Sequence, residues 1–114
     1  MPNSFKSISA ISSTSLTTLY TCPSSNSNGS VSASVVILCQ AANLTSRADI
    51  LTVLWVDSSN SNLAVALVNQ VPVPAQQSIG CLTGKLVLQP GDILKAQSGV
   101  NSSCALSISV LETS

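Results

Sequence analysis

At 114 residues, the chain is long enough for one domain with a single hydrophobic core and too short for two. Only 7% of its residues are charged, its formal net charge is zero and it has no histidine, whereas an ordinary soluble domain is about 25% charged. This composition argues against nucleic acid as a partner, because phosphate binding needs clustered lysine and arginine. An uncharged surface repels its neighbours little, so the composition favours a subunit of an assembly.

The N-terminal part of the chain carries the weakest pattern. Residues 1–15 alternate polar and apolar residues only loosely and contain no continuous apolar stretch, which predicts an N-terminal arm or edge strand and no signal peptide. Residues 16–114 are expected to form a single β-sandwich domain. Their apolar runs, such as 35–39 and 53–56, are far shorter than the roughly 18 residues of a membrane-spanning helix, so no membrane partner is expected.

Alternation of apolar and polar side chains predicts strands through the rest of the chain. Odd-numbered residues from Val31 to Ala41 are expected on one face of a strand, with Cys39 as a small buried hydrophobic residue. Residues 50–57 are apolar on both faces, which predicts a central strand covered on both sides. The last strand, 104–112, alternates clearly. The side chains predicted to form the core are Cys39, Leu54, Trp55, Leu106, Ile108 and Val110.

Between the strands lie short polar segments with turn residues. Residues 89–92 place proline and glycine at the two central positions of a type II turn, and Asp57 and Asp92 are predicted to stabilise turns by bonding their own backbone. Two prolines within 71–74 confine that segment to a sheet edge or a crossover. Seven or eight short strands, with turns about every ten residues, predict an all-β fold, an antiparallel two-sheet β-sandwich of jelly-roll type.

The four cysteines show no C-x-x-C spacing, so zinc binding and thioredoxin-like redox chemistry are not expected. If successive strands alternate in direction, with a reversal at 83–84, then Cys22, Cys81 and Cys104 reach one end of the sandwich. Cys39 lies alone toward the other end. An internal disulfide, if one forms, is then expected between Cys22 and Cys104, and Cys81 is the expected thiol for contact between subunits.

No residues point to catalysis or to a cofactor. Without histidine, a Ser–His–Asp or Cys–His arrangement is impossible, and the four carboxylates are isolated in sequence. The chain has no aspartate-rich calcium loop and no glycine-rich phosphate loop. The sequence therefore predicts a protein that is not an enzyme and that uses no metal or cofactor.

The order of the strands and turns is similar to that of a known group of proteins. The similarity covers roughly residues 16–112 and includes LYTCP at 19–23, VVILCQAAN at 35–43, VPVPAQQS at 71–78, GKLVLQPGDILKAQ at 84–97 and SISVLE at 107–112. Together these stretches resemble small β-sandwich structural proteins from the virions of tailed bacteriophages, especially phages of cyanobacteria. The resemblance lies in strands and turns and not in a catalytic signature.

This resemblance implies a structural protein of the virion, assembled in the host cytoplasm. Its expected location is the capsid exterior, where it would be a decoration or cement protein that braces major capsid subunits. The alternative within the virion is a neck or tail accessory protein. A host-attachment or carbohydrate-binding module is the alternative from a different class. The uncharged surface and the N-terminal arm further predict a homo-oligomer, with a trimer favoured. Its other partners are expected to be the major capsid protein or other virion proteins.

Overall fold

The computed structural model describes residues 4–26, 29–82, 84–100 and 102–113, and there the chain forms two antiparallel β-sheets around one core. The strands of these residues are β1 (Ser4–Ile11), β2 (Thr17–Thr21), β3 (Ser25–Asn26), β4 (Gly29–Ser30), β5 (Ala33–Asn43), β6 (Asp49–Asp57), β7 (Leu63–Val73), β8 (Ser78–Gly80), β9 (Leu86–Leu88), β10 (Ile93–Ser98) and β11 (Cys104–Thr113). A short 3-10 helix, Ser58–Asn60, separates β6 from β7. Across the described residues, no helix is long and apolar enough to cross a membrane.

The strand pairs are nested, because strands that are far apart in the sequence pair with each other and enclose pairs formed by strands that lie between them. The sheet that contains β1, here called the first sheet, has the order β1-β11-β5-β8, and β9 also pairs with β5. The second sheet has the order β2-β10-β6-β7. The first strand thus pairs with the last, β2 with β10, β5 with β8 and β9, and β6 with β7, all antiparallel. This connectivity confirms the predicted antiparallel all-β sandwich.

The strand count in the described residues is eleven and exceeds the seven or eight predicted, because four strands are only two or three residues long. Strands β3 and β4 form a small hairpin inside the polar loop that follows β2. Strands β8 and β9 both pair antiparallel with β5, so they are two pieces of one interrupted strand. The chain therefore does not reverse its direction between them.

The missing reversal shows that the predicted Cys22–Cys104 disulfide is wrong. The prediction requires the chain to turn back at 83–84, and without that turn every later strand runs opposite to the expected direction. Cys104 consequently pairs with Asn43 at one end of β5. Cys22 lies at the other end of β5, where its sulfur is 3.1 Å from the Ser34 hydroxyl oxygen. Two cysteines at opposite ends of a sandwich cannot approach to the roughly 7 Å between α-carbons that a disulfide allows.

The other two cysteines also lie elsewhere than predicted. Cys39 is not alone near one end, because the N–H of Cys81 donates to the carbonyl of Cys39 at 2.8 Å. Cys81 is only 4% exposed, and this burial does not favour the expectation that it provides a thiol for contact between subunits. All four cysteines are free and buried.

The core lies between the sheets and is built by alternate residues of the long strands. In β11, Leu106, Ile108 and Val110 are at most 1% exposed, and Cys39 in β5 is 2% exposed. The same buried cluster includes Leu51 of β6, from the second sheet. These four predicted core residues, all from the first sheet, therefore lie in one buried cluster with residues of the second sheet.

The prediction that β6 is covered on both sides is wrong for its outer face. Leu54 lies opposite Lys95 of β10 on that face and is half-buried, outside the core cluster. Trp55 lies opposite the buried Leu94 and packs against the core, but it is also only half-buried. In a sandwich of two sheets, only the inner face of each strand is covered by the other sheet. Apolar residues on the outer face of β6 therefore stay partly exposed.

Strand β5 changes its buried face partway along. Val36 is buried in its first half and Cys39 and Ala41 in its second, whereas Ile37 is 41% exposed. The change occurs at a β-bulge in the pairing with β11, where Ile37 is the extra residue. The prediction that the odd-numbered residues of this strand form one buried face is therefore wrong over residues 33–37.

The turn at 89–92 forms as predicted. Gly91 has a φ of +95°, which glycine adopts without strain, and the N–H of Asp92 donates to the carbonyl of Gln89 at 2.9 Å. A side chain at position 91 would also collide with its surroundings, since a Cβ there would lie 2.9 Å from the Ser58 hydroxyl oxygen. This turn leads directly into β10, which lies in the middle of the second sheet.

Two long strands form sheet edges. Among the described strands, β1 pairs only with β11, and β7 pairs only with β6. Strand β7 contains Pro72, which has no N–H to donate to a further strand, and the segment 71–74 thus runs into a sheet edge as predicted. Residues 4–11 of the predicted N-terminal arm or edge strand are β1, which pairs with β11 along its whole length.

Candidate interaction surface

An apolar row crosses the outer face of the first sheet. Phe5 of β1 pairs with Leu111 of β11, Leu111 pairs with Val35 of β5, and Val35 pairs with Val87 of β9. Residues directly opposite each other on neighbouring strands point to the same side, so these side chains line up across four strands. Phe5 is 75% exposed and Val87 is 56% exposed. We call these four residues the apolar row.

The other outward positions of the paired strands in this sheet, where the structure describes them, are uncharged. Beside the apolar row, Ile37 and Leu38 at the β5 bulge are also exposed. Farther along the sheet, the outward positions of β1, β11 and β5 hold small or uncharged residues, namely Ser7, Ser9, Ile11, Ala105, Ser107, Ser109, Gln40 and Ala42. An exposed apolar strip with an uncharged polar border is typical of a surface that binds protein.

On the inner side of the same sheet, the side chain of Glu112 is fully buried. Its carboxylate accepts hydrogen bonds from the Tyr20 hydroxyl at 2.5 Å and the Asn26 amide at 2.7 Å, and it forms an ion pair with Lys6 at 3.2 Å. The Tyr20 and Ser34 hydroxyls share a further hydrogen bond at 2.8 Å. We call these five residues the Glu112 cluster.

The Glu112 cluster joins five strands, because its members come from β1, β2, β3, β5 and β11. Three members, on β1, β5 and β11, are sequence neighbours of residues in the apolar row. Buried charges are stable only when they are paired and hydrogen-bonded, so the strands that supply these partners are held in one arrangement. The Glu112 cluster therefore fixes the strands that present the apolar row.

Opposing effects act on the ionisation of this cluster. Burial raises the pKa of the Glu112 carboxyl, but two hydrogen bonds and the ion pair with Lys6 outweigh burial and hold its pKa below the usual value. Burial, followed by the hydrogen bond to Glu112, raises the pKa of Tyr20. At neutral pH the carboxylate is therefore charged, and the Tyr20 hydroxyl keeps the proton that it donates.

We expect acid to destabilise the protein through Glu112. Because its folded-state pKa is lowered relative to an unfolded value of about 4.3, its stabilising contribution is present above that value and is lost as pH falls through the folded pKa. Urea unfolding at about pH 7 and about pH 3 measures this loss. A Glu112→Gln variant cannot titrate at this position and should lose less stability over the same range. Equal losses in the two proteins would contradict the expectation.

Two further buried carboxylates organise turns. Asp92 is 2% exposed and accepts hydrogen bonds from the N–H and hydroxyl of Ser58, both at 3.0 Å, and from the N–H of Gln89 at 2.9 Å. Asp49 is 9% exposed and accepts from the Ser103 hydroxyl at 2.5 Å. Asp92 therefore stabilises its turn, as predicted. Within the described part of the chain, no three potential metal ligands come together.

A shallow depression of about 270 Å³ lies beside the second sheet, with Thr52, Gln70 and Gln97 in its lining. The lining is uncharged and contains no aromatic side chain. Trp55, the single tryptophan of the chain, packs against the core instead. Because sugar-binding sites rely on exposed aromatic rings, this depression does not favour the carbohydrate-binding alternative.

The sequence analysis did not predict the Glu112 cluster, because its members are far apart along the chain. Glu112 and Tyr20, for example, are 92 positions apart. One signal was available, since Glu112 falls on the same inward face of β11 as Ile108 and Val110. A charged residue at an inward position requires a partner, although the sequence does not say which one.

No protein-family model matches the chain, and no curated protein matches it in sequence. Several solved structures do match. A pentameric capsid protein isolated from metagenomic phage sequences has a TM-score of 0.45 and 17% identity, over 94% of this chain and 62% of that chain. An oxalate oxidase has a TM-score of 0.32 and 10% identity, over 97% of this chain and 42% of that chain. Both TM-scores are too low to bear on fold or function.

A structure with a higher TM-score comes from Bacillus endospore appendages, which form a family of disulfide-linked pili. Its TM-score is 0.53 and its sequence identity is 9%, over 98% of this chain and 87% of that chain. At this identity the likeness concerns the path of the backbone and not the chemistry of particular residues. The comparison therefore shows that the two chains share a fold.

Proposed function

We propose that this chain is a non-enzymatic structural subunit that binds copies of itself and other virion proteins on the outside of a bacteriophage capsid, as a decoration or cement protein. The observation that carries the proposal is the apolar row on an uncharged sheet face, with Phe5 75% and Val87 56% exposed. Exposed apolar strips of this kind promote association and are costly for a protein that works alone in solution. The resemblance to small virion proteins supports the same reading.

The distribution of charge also supports a role in assembly. Three of the four carboxylates, Asp49, Asp92 and Glu112, are buried, where they hold strands and turns together. Few charges are then left to repel a neighbouring subunit. Contacts between such subunits rest on apolar area and open strand edges, so they should tolerate high salt. The oligomer that we propose is a trimer.

The apolar row should be required for self-association. Replacing both Phe5 and Val87 with aspartate puts charges into the row, and we expect association to weaken by at least about tenfold. Sedimentation velocity over a concentration series measures the effect. The matched control is Leu63→Asp, because Leu63 on β7 is 52% exposed but lies in the other sheet. Equal weakening by the control, or a wild-type protein that is monomeric throughout, would contradict the proposal.

The number of copies of this chain per purified virion tests where on the particle the protein is located. Quantitative mass spectrometry that finds on the order of hundreds of copies supports capsid decoration, and roughly a dozen copies indicate a neck or tail accessory protein. Absence of the chain from purified particles would overturn the virion proposal.

A subunit of an extracellular filament is the second candidate. The observation that favours it is the shared fold with the endospore appendage subunit, which assembles into pili. Head-to-tail contacts that do not close give filaments, whereas closed symmetry gives oligomers of fixed size. Electron microscopy of the purified protein therefore separates the two candidates.

A further inference from the structure

We propose that Cys39 and Cys81 form a disulfide bond when the folded protein meets hydrogen peroxide, with Cys81 as the attacking thiol and Cys39 as the resolving thiol. This pairing replaces the Cys22–Cys104 bond that the sequence suggested. It does not depend on the proposed function.

The two cysteines lie directly opposite each other on neighbouring segments. The pairing of β5 with β8 matches Gln40 with Gly80, so the next step along the ladder matches Cys39 with Cys81. The N–H of Cys81 donates to the carbonyl of Cys39 at 2.8 Å. Opposite residues joined in this way have α-carbons about 5.5 Å apart. Disulfides span α-carbon separations of about 4.4–6.8 Å, so this separation falls within the range, and the two β-carbons have to move closer together to reach the roughly 3.5–4.5 Å of a disulfide.

Burial places both thiols in the same environment. Cys39 is 2% exposed and Cys81 is 4% exposed. Because opposite residues of an antiparallel pair point to the same side, the two sulfur atoms share one site. Cys22 and Cys104 lie toward opposite ends of the sandwich, so neither competes for this pairing.

A depression of about 170 Å³ gives access to one member of the pair. Its lining includes Cys81 together with Leu82, Lys85 and Leu86, but does not include Cys39. A molecule the size of hydrogen peroxide that enters this depression therefore meets Cys81 first. This position makes Cys81 the attacking thiol.

The interaction between the two neighbouring thiols supports the same roles. It lowers the pKa of Cys81, and this effect outweighs burial, which raises it. The same interaction, followed by burial, raises the pKa of Cys39. Because the thiolate is the reactive form, Cys81 reacts first and Cys39 keeps its proton until the second step.

The reaction proceeds in two balanced steps. The Cys81 thiolate attacks one oxygen of hydrogen peroxide, an S–O bond forms, the O–O bond breaks, and the departing hydroxide takes up a proton to give water. The Cys39 sulfur then attacks the sulfenic sulfur of Cys81, an S–S bond forms, and the oxygen leaves with the Cys39 proton as a second water. Two thiols are oxidised to one disulfide, and one peroxide is reduced to two waters.

Peptide mapping of the peroxide-treated native protein is the direct test. Trypsin leaves Cys22 and Cys39 together on residues 7–47, and leaves Cys81 on 48–85. Mapping therefore uses the Cys22→Ala variant beside the wild type. We expect a mass loss of about 2 Da and a cross-link between these two peptides in both proteins.

Single substitutions test the two roles. In Cys39→Ser, Cys81 should stop at the sulfenic acid, which dimedone labels, whereas Cys81→Ser should leave Cys39 reduced. The matched control is Cys104→Ala, which should oxidise like the wild type. Oxidation should also raise the melting temperature of the wild type by about 10 °C, and a reductant should reverse this shift.

Three outcomes would overturn the proposal. One is a wild-type chain that stays fully reduced at a peroxide concentration that oxidises free N-acetylcysteine in the same tube. Another is a cross-link that joins Cys81 to Cys22 or Cys104. The third is a dimedone label on Cys39 in the Cys81→Ser variant. The first outcome, and a cross-link between Cys81 and the Cys104 peptide 96–114, are both measured in the wild-type chain, so they decide the question even if a variant fails to fold.

Discussion

Replacing Glu112 with alanine should lower the free energy of unfolding by about 3 kcal/mol, because it removes the carboxylate that accepts hydrogen bonds from the buried Tyr20 hydroxyl and the Asn26 amide. The ion pair with Lys6 adds little to this loss, since the Lys6 side chain is 45% exposed. Chemical denaturation at neutral pH measures the change.

The control for this substitution is Glu112→Gln. Glutamine keeps the size of the side chain and one acceptor oxygen, so Tyr20 retains a partner, and the loss should be about half as large. A loss below about 1 kcal/mol for Glu112→Ala would contradict the central position of this carboxylate. Equal losses in the two variants would show that the charge alone stabilises the cluster.

Replacing Asp92 with alanine should have a comparable effect, about 3 kcal/mol. Its carboxylate holds the N–H groups of Ser58 and Gln89, and so ties the turn before β10 to the connection between β6 and β7. Buried N–H groups that lose their acceptor cost about 1–3 kcal/mol each. Thermal and urea unfolding of the variant check the loss.

Asp57 offers a matched control for Asp92. It stands in the same connection, where its carboxylate accepts from the N–H and hydroxyl of Ser59, but these bonds are exposed to solvent. Asp57→Ala should therefore cost only about 1 kcal/mol, as for other helix caps. If Asp57→Ala destabilises the protein as much as Asp92→Ala does, burial is not the cause of the larger effect.

Much of the fold could be read from local patterns in the sequence. The alternation in β11 identified Leu106, Ile108 and Val110 as inward residues, because one face of that strand is covered by the other sheet. Proline and glycine at 89–92 identified the turn, because its backbone angles demand them. In both cases the physical cause acts within a few residues of chain.

Other features depend on contacts that no local pattern reports. The glycine at position 84 suggested a reversal, yet β8 and β9 continue in one direction because both pair with β5. That single reversal decided where Cys104 would lie. The exposed position of Ile37 likewise follows from a bulge that only the pairing with β11 defines. The apolar row has the same origin, since its four residues become neighbours only when the register of four strands is known.

The nested strand pairing also sets the order in which the molecule can fold. Strands β6 and β7 are close in sequence and can form a hairpin early, whereas β1 pairs with β11 across almost the whole chain, from Ser4 to Glu112. Closing such a long loop is slow, because its entropy cost precedes the contacts that offset it. During synthesis β1 leaves the ribosome before β11 and stays unpaired until β11 follows. Phe5 is thus exposed to other chains well before the sandwich closes.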